Sequence, residues 1–351
     1  MGTIRTMKLK TIILLSLSCC LLLHSCGKKG QQPNSGGSGQ TGSLKGSELS
    51  DSLFEKYKGS AFSNSPGLTY KLEIGYALSI GNFGLDTLAY SKQVGVDHLE
   101  ASGMGLFVNS DRNFRLSDEE IVVKLKEAKT AADKAGINIW SIHMPFGPRI
   151  DLSLRDEQER QQVVAMHQKL LGFLKILEPE VILFHPSYYL GLEEREIRKD
   201  QLVISALELD RAVQKIGAVM VLENMLGPEL LYDETKERPL MRSVEESVEI
   251  FDSLPVSIGL AVDTNHISEP EELILALGTR LKSLHIADGT GKAENHWFPC
   301  HYKGDNDWNK ILAALEKVGY TGPFMYESSP SDAREFRSCY QRLHQNFIDQ
   351  L

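Results

Sequence analysis

The sequence predicts an α/β protein: a (β/α)₈ barrel, or TIM barrel, preceded by a signal peptide and a flexible tether. Three observations carry this prediction. From about residue 69 onward, eight short apolar runs alternate with amphipathic segments. Glycine follows several of these segments, at the position where helices commonly end. Residues 67–351 also leave room for the roughly 250 residues that such a barrel needs.

The eight apolar runs are the predicted strands. Short runs of this kind are typical of strands that are buried on both faces of a parallel sheet. In chain order they cover 70–76, 97–101, 137–144, 181–185, 219–223, 258–263, 281–285 and 323–327.

Helical periodicity predicts helices between these strands. The main examples cover 118–135, 157–177, 192–216, 244–254, 270–277 and 309–318, and a last amphipathic segment over 331–348 ends the chain. An open doubly wound sheet is the alternative fold, but no Gly-x-Gly-x-x-Gly follows an early strand. The barrel is therefore preferred. The glycines that close predicted helices are Gly95, Gly136, Gly217, Gly278 and Gly319.

The N-terminus predicts an exported lipoprotein. Three basic residues precede an apolar run over 11–23, which is too short for a bilayer span of about 20 residues. The run ends in Leu23-His24-Ser25-Cys26. This end resembles a bacterial lipobox, and the resemblance implies cleavage before Cys26 and lipidation of that residue. Ordinary signal cleavage nearby and a retained anchor are the alternatives.

The chain is accordingly divided into three parts. Residues 1–25 are the predicted lipoprotein signal peptide, and residues 67–351 the predicted barrel. Residues 26–66 are rich in Gly, Ser, Gln and Lys, a composition typical of a disordered linker. An anchored tether predicts a periplasmic protein, or one on the face of the outer membrane, that contacts the membrane through its lipid alone.

Composition narrows the possible partners. The formal net charge of −9 makes a nucleic-acid partner unexpected, and a hydrophobic content of 42% is enough for a sizeable core. The barrel region has two cysteines, Cys300 and Cys339. Two thiols do not make a disulfide framework, so the fold is expected to rest on its core alone. Cys300 is expected to be a small loop residue rather than a nucleophile. The oligomeric state is left open.

Ionisable residues close four successive predicted strands. They are Glu223, Asp263, His285 and Glu327. A buried ionisable group is costly unless it is paired or binds a metal, and four in series are hard to explain by packing. In a barrel these ends converge on one mouth. Carboxylate and imidazole ligands predict a divalent metal such as Mn²⁺, Zn²⁺, Co²⁺, Fe²⁺ or Mg²⁺.

Six further residues are predicted to bind substrate at the same mouth. They are Glu100, His143, His185, His266, His301 and Trp308. For His143 and His185, hydrogen-bonded core histidines are an equal alternative. Trp308 is expected to pack its helix onto the barrel whatever else it does. Glu223 has the alternative of a pair with a lysine at the barrel rim.

This pattern resembles the xylose isomerase-like barrel superfamily, which includes sugar phosphate isomerases and epimerases, ketose 3-epimerases and endonuclease IV. In that superfamily Glu, Asp, His and Glu on strands five to eight bind the metal, and these positions match Glu223, Asp263, His285 and Glu327. The Asp-x-x-His spacing recurs at 263–266. The stretch 301–308 resembles a His-x-x-Gly-x-Gly-x-x-(Asp)-Trp motif, with Asn306 in place of the second Gly.

The resemblance implies a sugar isomerase or epimerase that moves a proton next to a carbonyl. Glu223 and Glu327 would be the acid–base pair, and the substrate a free or modified sugar. No Arg follows His285 closely, so a free ketohexose is not a secure substrate. Two alternatives remain. An endonuclease IV-like phosphodiesterase would carry Asp-x-His after strand seven, and none occurs before Gly304. A non-catalytic sugar-binding lipoprotein would be favoured by loss of either glutamate.

Overall fold

The computed structural model describes residues 71–351. The predicted signal peptide, the lipidation site Cys26 and the predicted linker lie outside the described residues, so these remain predictions. Within 71–351, no helix combines the length and apolar character needed to cross a bilayer.

Eight parallel strands form the barrel, and two short strands pair with each other outside it. The strands are β1 (Ile74–Ser79), β2 (His98–Ser102), β3 (Asn138–His143), β4 (Val181–Phe184), β5 (Leu190–Gly191), β6 (Val219–Glu223), β7 (Lys236–Glu237), β8 (Gly259–Asp263), β9 (Leu281–His285) and β10 (Phe324–Tyr326). Strands β5 and β7 make the separate antiparallel pair. Two-residue strands have no measurable hydrophobic period, so the sequence does not predict this pair.

The barrel strands follow one another in the order β10-β1-β2-β3-β4-β6-β8-β9. The ring closes between β9 and β10, where the Ile286 N–H donates to the Met325 carbonyl at 2.7 Å. The Glu327 N–H donates in turn to the Ile286 carbonyl at 3.2 Å. The predicted (β/α)₈ barrel is therefore confirmed, and its closure brings Glu327 beside the end of β9.

Eight α-helices cover the barrel in the described part of the chain. They are α1 (Leu85–Gln93), α2 (Asp118–Ala135), α3 (Glu157–Leu174), α4 (Arg195–Lys215), α5 (Val244–Asp252), α6 (Pro270–Leu277), α7 (Trp308–Val318) and α8 (Arg334–Ile348). Local chemistry sets their ends. Ser117 and Glu120 form a capping box before α2, and Gly136 ends it in the left-handed conformation. The same cap recurs at Gly319 after α7.

A disulfide joins Cys300 to Cys339, across 39 positions of sequence. It ties the short 3₁₀ turn Pro299–His301 to α8. The expectation that the fold rests on its core alone is therefore wrong. The pairing depends on a Cα–Cα distance of 5.7 Å that only the closed barrel creates, so the cysteine count did not indicate it.

Candidate metal centre and active site

The alternation of side chains along the strands aims the predicted ligands into the barrel. Leu183, Val221 and Ala261 belong to a small apolar cluster, separate from the main core, to which three neighbouring strands contribute. Glu223 stands two residues after Val221, and Asp263 two residues after Ala261. Residues two apart share a face of a strand, so both carboxylates point the same way as that cluster. The alternation of side chains therefore places the predicted ligands on the same inner face as the cluster, at the mouth of the barrel.

The structure brings Glu223, Asp263, His285 and Glu327 together as a group that could hold a metal ion, with ligand atoms within 4.8 Å of one another. Nδ1 of His285 lies 2.8 Å from Glu223 Oε1 and 2.8 Å from Glu327 Oε2. Glu223, Asp263 and His285 are buried, and the Glu327 side chain is 25% exposed. Glu327 is thus the member most open to the mouth.

Two buried carboxylate oxygens in this group accept no hydrogen bond from the described residues. They are Glu223 Oε2 and Asp263 Oδ2. Histidine nitrogens approach both, His185 Nε2 at 3.1 Å from the first and His266 Nε2 at 3.2 Å from the second, without hydrogen-bond alignment. Buried carboxylate oxygens without a hydrogen bond are costly, and a bound cation removes that cost. The residues present therefore fit a divalent metal.

Glu100 holds His285 from the side away from the other carboxylates. His285 Nε2 donates to Glu100 Oε1 at 2.9 Å, and Ser141 Oγ donates to Glu100 Oε2 at 2.7 Å. Glu100 and Ser141 are fully buried. Because Glu100 accepts the Nε2 proton, Nδ1 is the His285 atom that would bind a metal once it gives up its own proton, which is how outer carboxylates orient ligand histidines. The predicted substrate contact of Glu100 stays a prediction.

His143 and His185 lie beside Oε2 of Glu223, whereas His285 contacts its Oε1. The two Nε2 atoms are 3.2 Å apart, and His143 Nδ1 donates to the Met144 carbonyl at 3.0 Å. That bond leaves Nε2 of His143 facing Glu223 Oε2, 3.7 Å away. His143, Glu223 and His285 form a second group that could hold a metal.

His266 lies on the other flank, beside two residues that the sequence analysis did not single out. Its Nδ1 donates to the Asn224 carbonyl at 2.9 Å, and its Nε2 lies 3.0 Å from Glu294 Oε2. Nε2 of His296 lies 3.1 Å from the same carboxylate. Asp263, His266 and His296 form a third group that could hold a metal. The available signal was an acidic-x-His spacing at 294–296, with Glu where Asp was sought.

Opposite charges shift the pKa values at this mouth. Burial lowers the pKa of His285, but the carboxylates around it outweigh burial and raise that pKa well above its ordinary value. Burial raises the pKa of Glu327, but His285 outweighs it and brings that pKa to about 2. For Asp263 burial dominates and raises the pKa to about 6. The protein's own residues therefore compensate the charge of Asp263 less well than that of Glu327.

The family model for xylose isomerase-like TIM barrels matches residues 88–342. The chain belongs to this family. No curated protein matches the sequence significantly.

Solved structures of similar fold cover nearly all of this xylose isomerase-like barrel. A D-tagatose 3-epimerase-like protein is 18% identical with a TM-score of 0.64, covering 80% of this chain and 99% of that one. An L-ribulose 3-epimerase is 16% identical with a TM-score of 0.60, covering 80% and 97%. The 3-keto-D-glucoside 4-epimerase of E. coli is 15% identical with a TM-score of 0.57, covering 78% and 100%.

The stretch 301–308 of this family member docks beside the mouth without entering the metal group. His301 is exposed and packs its ring edge on Phe298. Trp308 begins α7 and meets Phe324 edge to face, so its expected packing role is confirmed. Asn306, which replaces the motif's second Gly, donates to the Thr264 carbonyl at 2.9 Å. The substrate contacts predicted for His301 and Trp308 stay predictions.

Asp288 and Gly304 fasten this stretch to the end of β9. The Gly304 N–H donates to Asp288 Oδ2 at 2.8 Å. A Cβ on residue 304 would lie 2.2 Å from Asp288 Oδ1, so only Gly permits this approach. Asp288 also pairs through its backbone with Trp297. These contacts fix the loop after β9 beside the mouth, and Glu294 and His296 lie on this loop.

Proposed function

We propose that this protein is a divalent-metal-dependent sugar isomerase or epimerase that transfers a proton next to a carbonyl. One observation carries the proposal: Glu223, at the end of β6, and Glu327, just after β10, both reach the same nitrogen of His285 at the barrel mouth. Two carboxylates that approach one point from different strands can serve opposite faces of a bound substrate. The sugar epimerases among the structures of similar fold support the same reaction class.

The protein's residues divide the work in this proposal. Glu223, Asp263, His285 and Glu327 hold the metal, and Glu100 keeps His285 in the required tautomer. A divalent cation bound there would polarise the substrate carbonyl and its neighbouring hydroxyl. Glu327, the most open member, removes or returns the proton on one face, and Glu223 serves the other. The fold excludes bulk water from all but the outer edge of the group.

Solvent exchange tests this proposal. The purified protein is analysed for bound metal and then incubated with a panel of free, oxidised and glycosidic sugars in D₂O. We expect deuterium at a carbon next to the carbonyl of the sugar that turns over. Product without solvent deuterium from active enzyme would instead indicate a hydride shift and would overturn the two-glutamate mechanism.

We propose in addition that the protein is exported and lipidated at Cys26, which follows Leu23-His24-Ser25. The disulfide between Cys300 and Cys339 supports export, because disulfides persist mainly in oxidising compartments. Mass spectrometry of the native N-terminus tests this. An unmodified Cys26 within an intact chain would refute it.

A metal-dependent phosphodiesterase is the second candidate, and Glu294 and His296 favour it. Together with His266 they form a cluster on one side of the mouth, and His143 and His185 form another. Three groups of metal-type ligands therefore line one mouth. Several adjacent cations are the usual means of stabilising the attacking and leaving oxygens in phosphodiester hydrolysis.

Metal stoichiometry and hydrolysis separate the two candidates. One metal per chain with solvent exchange into a sugar supports the isomerase. Two or three metals with hydrolysis of bis(p-nitrophenyl) phosphate would support the phosphodiesterase. Replacement of His296 by Ala is informative because it lies outside the central four ligands: it should abolish hydrolysis in the second case.

A further inference from the structure

A group of apolar side chains lies on the loops that follow β4 and β6. The rings of Tyr189 and Tyr232 pack with centroids 4.3 Å apart. Tyr232 is 48% exposed, and its sequence neighbours Leu230 and Leu231 are exposed as well. These four residues are called the aromatic shelf. Contiguous exposed apolar groups on a soluble domain mark a binding surface more often than isolated ones do.

The two loops of the shelf are joined to each other rather than free. Strands β5 and β7 pair antiparallel, with Leu190 opposite Glu237. The Leu240 N–H donates to the buried Ser187 Oγ at 2.8 Å. The Arg195 guanidinium binds Glu237 at 2.8 Å and Glu246 at 2.5 Å, which ties this small sheet to α4 and α5.

A buried ion pair holds the loop that follows β4. Asp151 Oδ2 accepts from Arg198 at 2.5 Å and from the Tyr188 N–H at 2.8 Å, and both charged side chains are buried. The backbone next to Tyr189 is therefore held by a satisfied charge pair. The half-buried ring of Tyr189 therefore has little conformational entropy to lose on binding.

The shelf is continuous with the metal-ligand mouth. The Gly227 N–H, on the loop between β6 and the shelf, donates to the His266 carbonyl at 3.3 Å. Burial, the neighbouring Tyr232 and the charge of Glu294 raise the pKa of Tyr189 to about 12, and Glu294 is the carboxylate bonded to His266. On the next loop along the barrel, Phe146 is 47% exposed and stacks on His185 at 3.9 Å.

We propose that the aromatic shelf binds a second glycosyl residue of the substrate, so that the protein acts on a glycosidically linked sugar. This inference rests on the proposed function. The partly negative faces of aromatic rings attract the partly positive C–H groups of a pyranose face, while the hydroxyl groups stay in water. The reacting sugar lies at the metal ligands, and the linked sugar extends over Phe146 toward Tyr189 and Tyr232. Continuity with the mouth favours this occupant over a separate protein partner.

Binding measurements test the shelf without requiring turnover. Affinities of the metal-loaded protein for cellobiose, maltose and lactose are compared by calorimetry with those for glucose and galactose. We expect at least one disaccharide to bind more tightly than its constituent monosaccharides. Y232A should reduce that disaccharide-to-monosaccharide ratio by about 3- to 10-fold, the contribution of one stacked ring, whereas Y232F should keep it. Tyr90→Ala, at a similarly exposed tyrosine bonded to Asp332, is the matched control.

Each outcome decides the inference. Equal binding of disaccharides and monosaccharides by the wild type would overturn it, and so would an unchanged ratio in Y232A. Equal losses in Y232A and Y90A would indicate a general effect on the fold and would also overturn it. Tyr232-dependent disaccharide binding without solvent exchange would refute the isomerase proposal and leave the shelf standing.

Discussion

Two buried aspartates of this barrel have opposite surroundings. Asp151 accepts four hydrogen bonds, two of them from Ser153 and one from the Arg198 guanidinium, so both its oxygens are satisfied. Asp263 is at least as deeply buried, yet its Oδ2 accepts none from the described residues. Burial alone therefore does not distinguish a structural carboxylate from a ligand. An unsatisfied oxygen alone does not either, since Oδ1 of Asp210 also lacks a partner in the described residues, but Asp263 alone of these two also lies in a group of ligand-type side chains. We therefore expect Asp263 to be the ligand and Asp151 the structural carboxylate.

The largest expected effect is the loss of activity when the carboxylate of Glu223 or Glu327 is replaced by an amide. E223Q and E327Q should each lower kcat/KM by at least about 10²- to 10⁴-fold, because Gln keeps the shape but cannot take up a proton. The assay uses the sugar identified by solvent exchange. Glu127→Gln, on the exposed face of α2, is the control and should retain full activity. Wild-type turnover in both variants would contradict the catalytic roles proposed for Glu223 and Glu327.

A pair of isosteric changes tests the comparison directly. D151N should lower the free energy of unfolding by about 2–3 kcal/mol, because it removes the charge of the carboxylate closest to the buried Arg198 and leaves only Glu194, at 3.3 Å, as its charged partner. D263N should change the stability of the metal-free protein by less than about 1 kcal/mol, since it removes a buried charge whose pKa burial raises to about 6, and the amide oxygen can stay 3.2 Å from His266 Nε2.

The order of the two variants should reverse when bound metal is measured instead of stability. D263N should lose bound metal, while D151N, if folded, should keep it. Urea unfolding of the metal-free proteins and elemental analysis of the loaded ones provide the two measurements. A D263N variant that is as destabilised as D151N would show that both aspartates are structural.

Reduction of the disulfide should have the next largest effect. Opening a bridge across 39 positions should cost about 3–4 kcal/mol by the entropy of the closed loop. The four candidate ligands stand at strand ends and none of them is in the loop that carries Cys300, so C300S/C339S should still bind metal at that group. Denaturant unfolding with and without reductant measures the cost. Loss of the central metal on reduction would show that the loop after β9 supports the strand ends themselves.

The smallest expected effect concerns a buried histidine far from the mouth. Burial lowers the pKa of His167 to about 3, and its Nδ1 has no partner in the described chain. The unfolded chain takes up this proton near pH 6.5, so stability is lost as pH falls from 6.5 toward 3. Between pH 7 and pH 5 the loss should be about 2 kcal/mol.

Comparison of slopes isolates the His167 contribution. H167L should flatten the dependence of unfolding free energy on pH in that window, whatever its effect on stability at pH 7. A substitution that removes no titratable group is the control: V123L, at an exposed position of α2, should leave the slope unchanged. Parallel slopes for H167L and the wild type would show that other groups carry the acid sensitivity.

Features with a local signal could be predicted from the sequence. The barrel strands were found within a few residues, although the first was placed at 70–76 rather than Ile74–Ser79. Helices such as Asp118–Ala135 and Pro270–Leu277 match the prediction closely, because the first begins at a capping box and the second at a Pro in its first turn. Features that depend on distant neighbours were missed. The bond of Glu100 to His285 spans 185 positions, and no local pattern indicates it.

The sequence by itself determined the period of the strands, the residue at the end of each, and hence the set of side chains that face one mouth. Tertiary structure decided which atoms meet there. Ring closure set Glu327 beside His285, the return of the loop after β9 brought Glu294 to His266, and the same closure joined Cys300 to Cys339. The physical reason is range: strand period and helix caps act over a few residues, whereas ligand geometry and disulfide pairing depend on distances between residues far apart in the chain.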